Sequence, residues 1–307
     1  MVISRRDFIR TVGAAGVAGS TVGTLAEQAQ GSEVMPISDD LMGVLVDIPK
    51  CIGCRRCEYA CQEAAGLDPP PMETFEDKTV MREKRRPLPQ SYTIINEYPN
   101  PADETTPIYA KFNCFHCVDP ACMSACLVGA FSKRPDGPVV YDAWKCMGCR
   151  YCMVACPFQI PTYDYHIALT PQVRKCNLCA HRVPHEQPVP ACVKICPAEV
   201  MTYGKRSELL KLAHEKIREE PDVYVDHVYG EHEVGGTSWL YLSSRPFEEL
   251  DFLKLDPKAP PRLTEAIQHG IFKHWMPPLA WYGLLGAAMY LSKPGETEEP
   301  GSGEQDQ

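Results

Sequence analysis

The sixteen cysteines carry the chemistry that spacing can reveal, and they divide into four groups of four with none left over. The groups are Cys51, Cys54, Cys57 and Cys61; Cys114, Cys117, Cys122 and Cys126; Cys146, Cys149, Cys152 and Cys156; and Cys176, Cys179, Cys192 and Cys196. The third, CMGCRYCMVACP from Cys146 to Pro157, sets three thiols at a pitch of three residues and a fourth just before a proline. Three thiolates at that pitch fit the corners of a 4Fe-4S cube.

In two-cluster ferredoxins such a run gives its first three cysteines to one cluster and its fourth to the other. That swap makes the second and third motifs partners. One cube falls on Cys114, Cys117, Cys122 and Cys156, and its mate on Cys126, Cys146, Cys149 and Cys152. If the repeats are nested, the outer motifs pair likewise, giving Cys51, Cys54, Cys57 and Cys196, then Cys61, Cys176, Cys179 and Cys192. Four 4Fe-4S clusters would use every thiol, form a wire for single electrons and leave no iron open to a substrate, so no catalytic residue is expected. Disulfides fit poorly, because adjacent thiols in one tight loop would compete and strain their bridges. Four-cysteine zinc sites are the better rival, but they usually pair two C-x2-C elements. His116, inside the second motif, reads as a loop histidine. Lys50, Lys145 and Lys175 each precede a motif's first cysteine. There a basic residue either offsets cluster charge or is simply solvated.

The elements that must hold these loops are short. Gly43 to Lys50 reads as a strand entering the first loop, Thr93 to Tyr98 and Ile108 to Asn113 as two more, and Met201 to Gly204 as another. Phe131 to Arg134 and Val139 to Tyr141 flank the turn Pro135-Asp136-Gly137 as a hairpin. Gln62 after Cys61 lets the chain continue as a helix, whereas Pro157 and Pro197 stop it. Residues 65–90 are Pro-rich and charged and read as a surface excursion, with Arg82, Lys84, Arg85 and Arg86 in a solvated loop. Ser207 is the expected cap of a helix with Leu209, Leu210, Ala213 and Ile217 periodicity that ends before Pro221. Thr237 to Leu242 is an apolar strand.

With 307 residues, 44% of them hydrophobic, the chain is globular in composition. Its 29 prolines point to turns and loops with little long helix. A net charge of −9 excludes a nucleic-acid partner, which needs clustered Lys and Arg. SRRDFIR (Ser4 to Arg10) and the Gly- and Ala-rich stretch to Ala26 form a twin-arginine export signal, with cleavage expected near residue 30. Trp275 to Ser292 carries no charge and meets the lower end of the ~17 to 25 residues that cross a bilayer. It is expected to be a single membrane-spanning helix, with Pro277 and Pro278 at its start and Ala280, Gly283 and Ala287 suited to close helix packing.

The leader, the four motifs and the terminal apolar stretch together resemble a family of four-cluster ferredoxin proteins. These are the iron-sulfur electron-transfer subunits of hydrogenase-2-type periplasmic nickel-iron hydrogenases and of formate dehydrogenase-N. The likeness rests on CMGCRYCMVACPFQIPTYDY, on YGEHEVGGT (Tyr229 to Thr237) and on IQHGIFKHWMPPLA. Leu127 departs from the pattern, standing where a proline commonly follows the motif's last cysteine. The resemblance implies an α+β fold of two paired-cluster ferredoxin-like modules with loop-rich insertions and one C-terminal transmembrane helix. The expected divisions are the leader at 1–30 and the cluster region at 43–205, whose inner module is about 108–160 and whose outer module is 43–65 with 170–205. A helix-strand extension at 206–270, the anchor at 275–292 and an acidic tail at 293–307 complete them. The implied partners are a periplasmic catalytic subunit of hydrogenase or formate dehydrogenase type and a polytopic quinone-reactive or haem-bearing membrane subunit. The implied location is the periplasmic face of the bacterial inner membrane. The alternatives are a membrane-tethered ferredoxin acting as a free carrier and a zinc-stabilised scaffold.

Overall fold

The computed structural model describes residues 41–101, 103, 105–166, 172–183 and 189–260, with Leu285, Gly286 and Met289. The chain divides into two compact units, Met1–Gln28 with Ala266–Gln307, and Ala29–Glu265. Every strand and every cysteine described belongs to the second. Among the described residues no helix is long and apolar enough to cross a membrane. The expected leader, the acidic tail and most of the expected anchor lie outside the described residues.

The central element is β1 (Met42–Asp47). It pairs antiparallel with β8 (Met201–Lys205) and parallel with β9 (Trp239–Leu242), giving the order β8-β1-β9. Side chains of a strand alternate between faces. On one face Leu45, Leu240 and Leu242 meet Leu209, Ala213 and Ile217 of α5 (Arg206–Glu219). On the other, Val44, Val46, Trp239 and Tyr241 join a larger core that also contains Cys57 and Cys192. The sheet therefore has a helix on one side and thiol-bearing loops on the other.

Three two-stranded ribbons brace those loops: β2 (Ile94–Tyr98) with β3 (Ile108–Phe112), β4 (Phe131–Lys133) with β5 (Val139–Tyr141), and β6 (Thr162–Tyr163) with β7 (Val173–Arg174). The short helices are α1 (Arg56–Ala64), α2 (Ala121–Ser124), α3 (Tyr151–Ala155) and α4 (Ala191–Lys194). α1 packs on α4 and α2 on α3, so the outer motifs face each other and the inner motifs do the same. The longest described helix, α5, has 14 residues, in keeping with the proline content.

Two local expectations need correcting. Ser207 does not cap α5: the helix starts at Arg206, Lys205 is its N-cap, and no side chain caps it. The Arg206 amide instead donates to the Leu41 carbonyl at 2.8 Å, so β8 runs straight into the helix. The stretch 65–90 runs mostly along the surface as expected, but Arg85 within it is not simply solvated. Phe75 and Met81 are buried, and Arg85 reaches back to the buried Glu58 of α1 at 2.6 Å.

Candidate iron-sulfur sites

Each C-x-x-C loop turns through a left-handed residue two places after its first cysteine: Gly53 (φ 66), His116 (φ 51), Gly148 (φ 76) and Leu178 (φ 54). That turn curls the loop around its own thiol. The Gly148 amide donates to Cys146 Sγ at 3.4 Å and the Leu178 amide to Cys176 Sγ at 3.3 Å. Glycine is required sterically at Gly53, where a Cβ would lie 2.5 Å from the Tyr109 ring, and at Gly148, where it would lie 2.6 Å from the Tyr163 hydroxyl. A second turn follows the last cysteine of three motifs at the same offset, at Gly129, Gln159 and Glu199. The second motif therefore turns as the others do although Leu127 replaces proline, and the Ala130 amide still donates to Cys126 Sγ at 3.2 Å. The first motif has no such turn because α1 continues past Cys61, whose Sγ accepts from Thr93 Oγ1 at 3.4 Å.

The fold gathers the thiols in four sets drawn from partner motifs. Cys51, Cys54, Cys57 and Cys196 line one cavity; Cys61, Cys176, Cys179 and Cys192 a second; Cys114, Cys117, Cys122 and Cys156 a third. The space unfilled by atoms is about 440 Å³ in the first and about 350 Å³ in each of the others, part of it open to solvent. Cys152 is surrounded electrostatically by Cys149, Cys126 and Cys146, which completes the fourth set. This last set lies nearest the surface: Cys149 is exposed, as are Trp144, Met147 and Val154 on the same loop and helix.

The donor chemistry follows from burial. No cysteine is in a disulfide. Burial pushes the thiols of Cys51 and Cys156 up to about 11 and those of Cys61, Cys122 and Cys152 up to about 12. Such thiols stay protonated until a metal takes the proton's place. A tetrahedral zinc would draw its sulfurs to ~2.3 Å from one centre. Three of the thiol sets line cavities of several hundred cubic ångströms, which leave room for a polynuclear core between the sulfurs.

Comparison with known proteins agrees. Residues 106–206 match the family model described as a 4Fe-4S dicluster domain. A protein of Nitratidesulfovibrio vulgaris (Hildenborough) is 44% identical over 263 residues, covering 85% of this chain and 70% of its own. The hydrogenase-2 operon protein HybA of Shigella flexneri is 32% identical over 305 residues, covering 91% of this chain and 92% of its own. The nitrate-inducible formate dehydrogenase iron-sulfur subunit of Shigella flexneri is 32% identical over 258 residues, covering 78% and 80%. The chain belongs to this family of iron-sulfur proteins.

Buried polar groups around the cavities fit such a group. Trp239 Nε1 and Tyr241 Oη are buried donors without a hydrogen-bond partner among the described residues. Trp239 lines the second cavity, and Tyr241 feels the charges of Cys176, Cys192 and Cys114. Buried donors are rarely left unpaired, and sulfur acceptors inside the cavities would serve them. His116 is a fully buried strut. Its Nδ1 accepts from the Val139 amide at 2.9 Å, while burial, then Lys175 and Lys133, hold its pKa well below the ordinary value. Of the three lysines preceding motifs, Lys50 and Lys145 are exposed beside Asp47 and Asp142, whereas Lys175 is buried and donates to the carbonyls of Val139 and Cys176. Sequence reasoning passed over two further enclosed lysines, the buried Lys111 and the half-buried Lys133. Lys133 donates to the Cys117 carbonyl at 2.9 Å, and burial pushes it down to about 8. A lysine inside the apolar strand IYAKF was the available signal for Lys111.

Proposed function

We propose that the chain is an electron-transfer subunit holding four 4Fe-4S clusters, one in each four-thiol set, that relays single electrons between a periplasmic catalytic subunit of hydrogenase or formate dehydrogenase type and a membrane quinone-reactive subunit. The observation that carries this reading is the gathering of all sixteen thiols into four sets, three of them lining cavities between partner motifs. When bound, each cluster accepts and passes one electron. The chain's own residues do the rest. The left-handed turns aim amide N–H groups at sulfur, the aromatic core of Phe115, Phe158, Tyr229 and Tyr241 keeps water away, and the packing of α1 on α4 and α2 on α3 holds the sets in pairs. The exposed rim of Cys149, Trp144, Met147 and Val154 supplies a contact face for electron exchange with a partner protein. The twin-arginine leader and the apolar stretch Trp275 to Ser292 support export and a single C-terminal anchor in the inner membrane, with the cluster unit on the periplasmic face.

Anaerobic purification with iron and sulfide analysis tests the core of this reading: about sixteen irons per chain are expected for four cubes, with low-temperature electron paramagnetic resonance signals on reduction. A folded, iron-free protein would overturn it. Co-purification in mild detergent with a multi-span subunit separates the fixed complex from a free tethered carrier. Phase partition in detergent before and after deletion of 275–292 tests the anchor.

A further inference from the structure

Lys111 stands near the end of β3 with its side chain fully enclosed. Its Nζ donates to Asn113 Oδ1 at 2.6 Å and sits 4.1 Å from the centroid of the Trp239 ring. Among the described residues it forms no ion pair with a carboxylate, unlike Lys216, which is bound to Asp47 at 2.6 Å. A buried ammonium without an anion is costly, and proteins keep one only where something negative compensates it. What Lys111 faces is a thiol set, which becomes anionic once a metal replaces its protons. Lys111 lines the cavity of Cys51, Cys54, Cys57 and Cys196. The neighbouring cavity is that of Cys61, Cys176, Cys179 and Cys192. Trp239, whose ring faces the ammonium, itself lines that second cavity. Lys111 is thus built into the wall between the two outer sets.

We propose that Lys111 is a shared counter-charge for the two outer clusters, raising both of their reduction potentials together and so making the outer pair a common electron sink in the wire. The inference rests on the four-cluster reading. Reduction of a cluster adds one electron and no proton, hence one unit of negative charge, and a fixed cation in a water-poor wall favours that state over the oxidised one. The exposed Lys50 and Lys145 are screened by solvent and by their aspartates and cannot substitute for it. Lys133 is anchored on the main-chain carbonyls of Cys117 and Gly137, and Lys175 on those of Val139 and Cys176, and neither lines the cavity of Cys51, Cys54, Cys57 and Cys196 that Lys111 lines.

The test compares the full-length wild-type protein with Lys111→Met and Lys111→Arg, each extracted from membranes in its assembled form. Four one-electron steps are titrated by electron paramagnetic resonance, and iron is counted in each sample. In Lys111→Met, two of the steps should become about tenfold less favourable, a fall of ~59 mV for a one-electron couple, while the other two hold and iron is unchanged. Lys111→Arg, which keeps the charge, should stay near wild type. Four unshifted steps in Lys111→Met, an equal shift of all four, or a fall in Lys111→Arg as large as in Lys111→Met would each overturn the proposal. If Lys111→Met loses iron, Lys111→Gln is measured beside it. Iron loss from both neutral variants but not from Lys111→Arg supports the counter-charge, and loss from all three overturns it. Wild-type protein without iron-sulfur signals would remove the four-cluster reading itself and this inference with it.

Discussion

At the scale of single residues, buried charge organises the chain as much as the thiols do. Glu58, on α1 between two cluster cysteines, accepts from Arg55 at 3.0 Å, from Arg85 at 2.6 Å and from the Ile95 amide at 2.7 Å, and is 1% exposed. Glu58→Gln leaves two guanidinium groups beside a neutral amide and should destabilise the protein by about 3–5 kcal/mol, read by denaturant unfolding of the iron-loaded form. A second pair is sensitive to pH. His227 donates to Glu233 at 2.8 Å, which raises the His227 pKa above its ordinary 6.5. Burial pushes Glu233 up, but the hydrogen bonds from His227 and the Gly230 amide outweigh it and hold its pKa below the ordinary 4.5. The histidine's contribution is complete below 6.5 and is lost as pH rises through its folded value, and the glutamate's is complete above 4.5 and is lost as pH falls through its own. Stability should therefore fall on either side of the window between 4.5 and 6.5, and His227→Gln should flatten the alkaline side in thermal melts. The cysteine motifs were legible at this scale because their spacing is local. Lys111, Glu58 and Arg85 were not, because a charged side chain reads as solvated until the strand that buries it is in place.

At the scale of elements, the loops around the thiols depend on conformations that few residues tolerate. Gly53→Ala adds a methyl group 2.5 Å from the Tyr109 ring at a positive φ, with a strain of about 1–2 kcal/mol from the backbone alone. The first outer set should lose its iron, so that content falls by about a quarter of the four-cube total. The sheet behind the loops should respond differently. Leu240 is fully buried between β1 and α5, and Leu240→Ala should cost about 2–5 kcal/mol without changing iron stoichiometry, because it lies on the helix face of β9. Most strands were legible from their β-branched and apolar runs, as at Gly43 to Lys50 and Ile108 to Asn113. What the sequence hid was pairing across distance. Nothing local in WLYL reveals that β9 runs parallel to β1, and nothing at Ser207 reveals that the Leu41 carbonyl takes over the duty of a cap.

At the scale of the whole molecule, the core is partly made of the proposed ligands: Cys57 and Cys192 are buried in the same cluster of side chains as Val44, Trp239 and Tyr241. Removing the iron should therefore cost more than redox activity. A chelator under oxidising conditions is expected to abolish near-ultraviolet circular dichroism as the brown colour fades, because ligand binding and folding share one free energy. Retention of native dichroism in iron-free protein would separate the two. The nested pairing of first with last motif was readable only as one possibility, since spacing fixes membership within a loop but not which loops meet. The packing of α1 on α4 brings the first and last motifs together.

The parallel pairing of β1 with β9 also bears on how the protein is made. Val44 to Asp47 emerge from the ribosome early, and their neighbours Trp239 to Leu242 emerge only after all four thiol motifs. The wall that closes the outer cavities is thus the last part of the nest to be synthesised. Metal delivery to the outer sets should await the emergence of β9, and ribosome-stalled chains ending before Trp239 should capture less radioactive iron than stalled chains in which Leu242 has already cleared the ribosome.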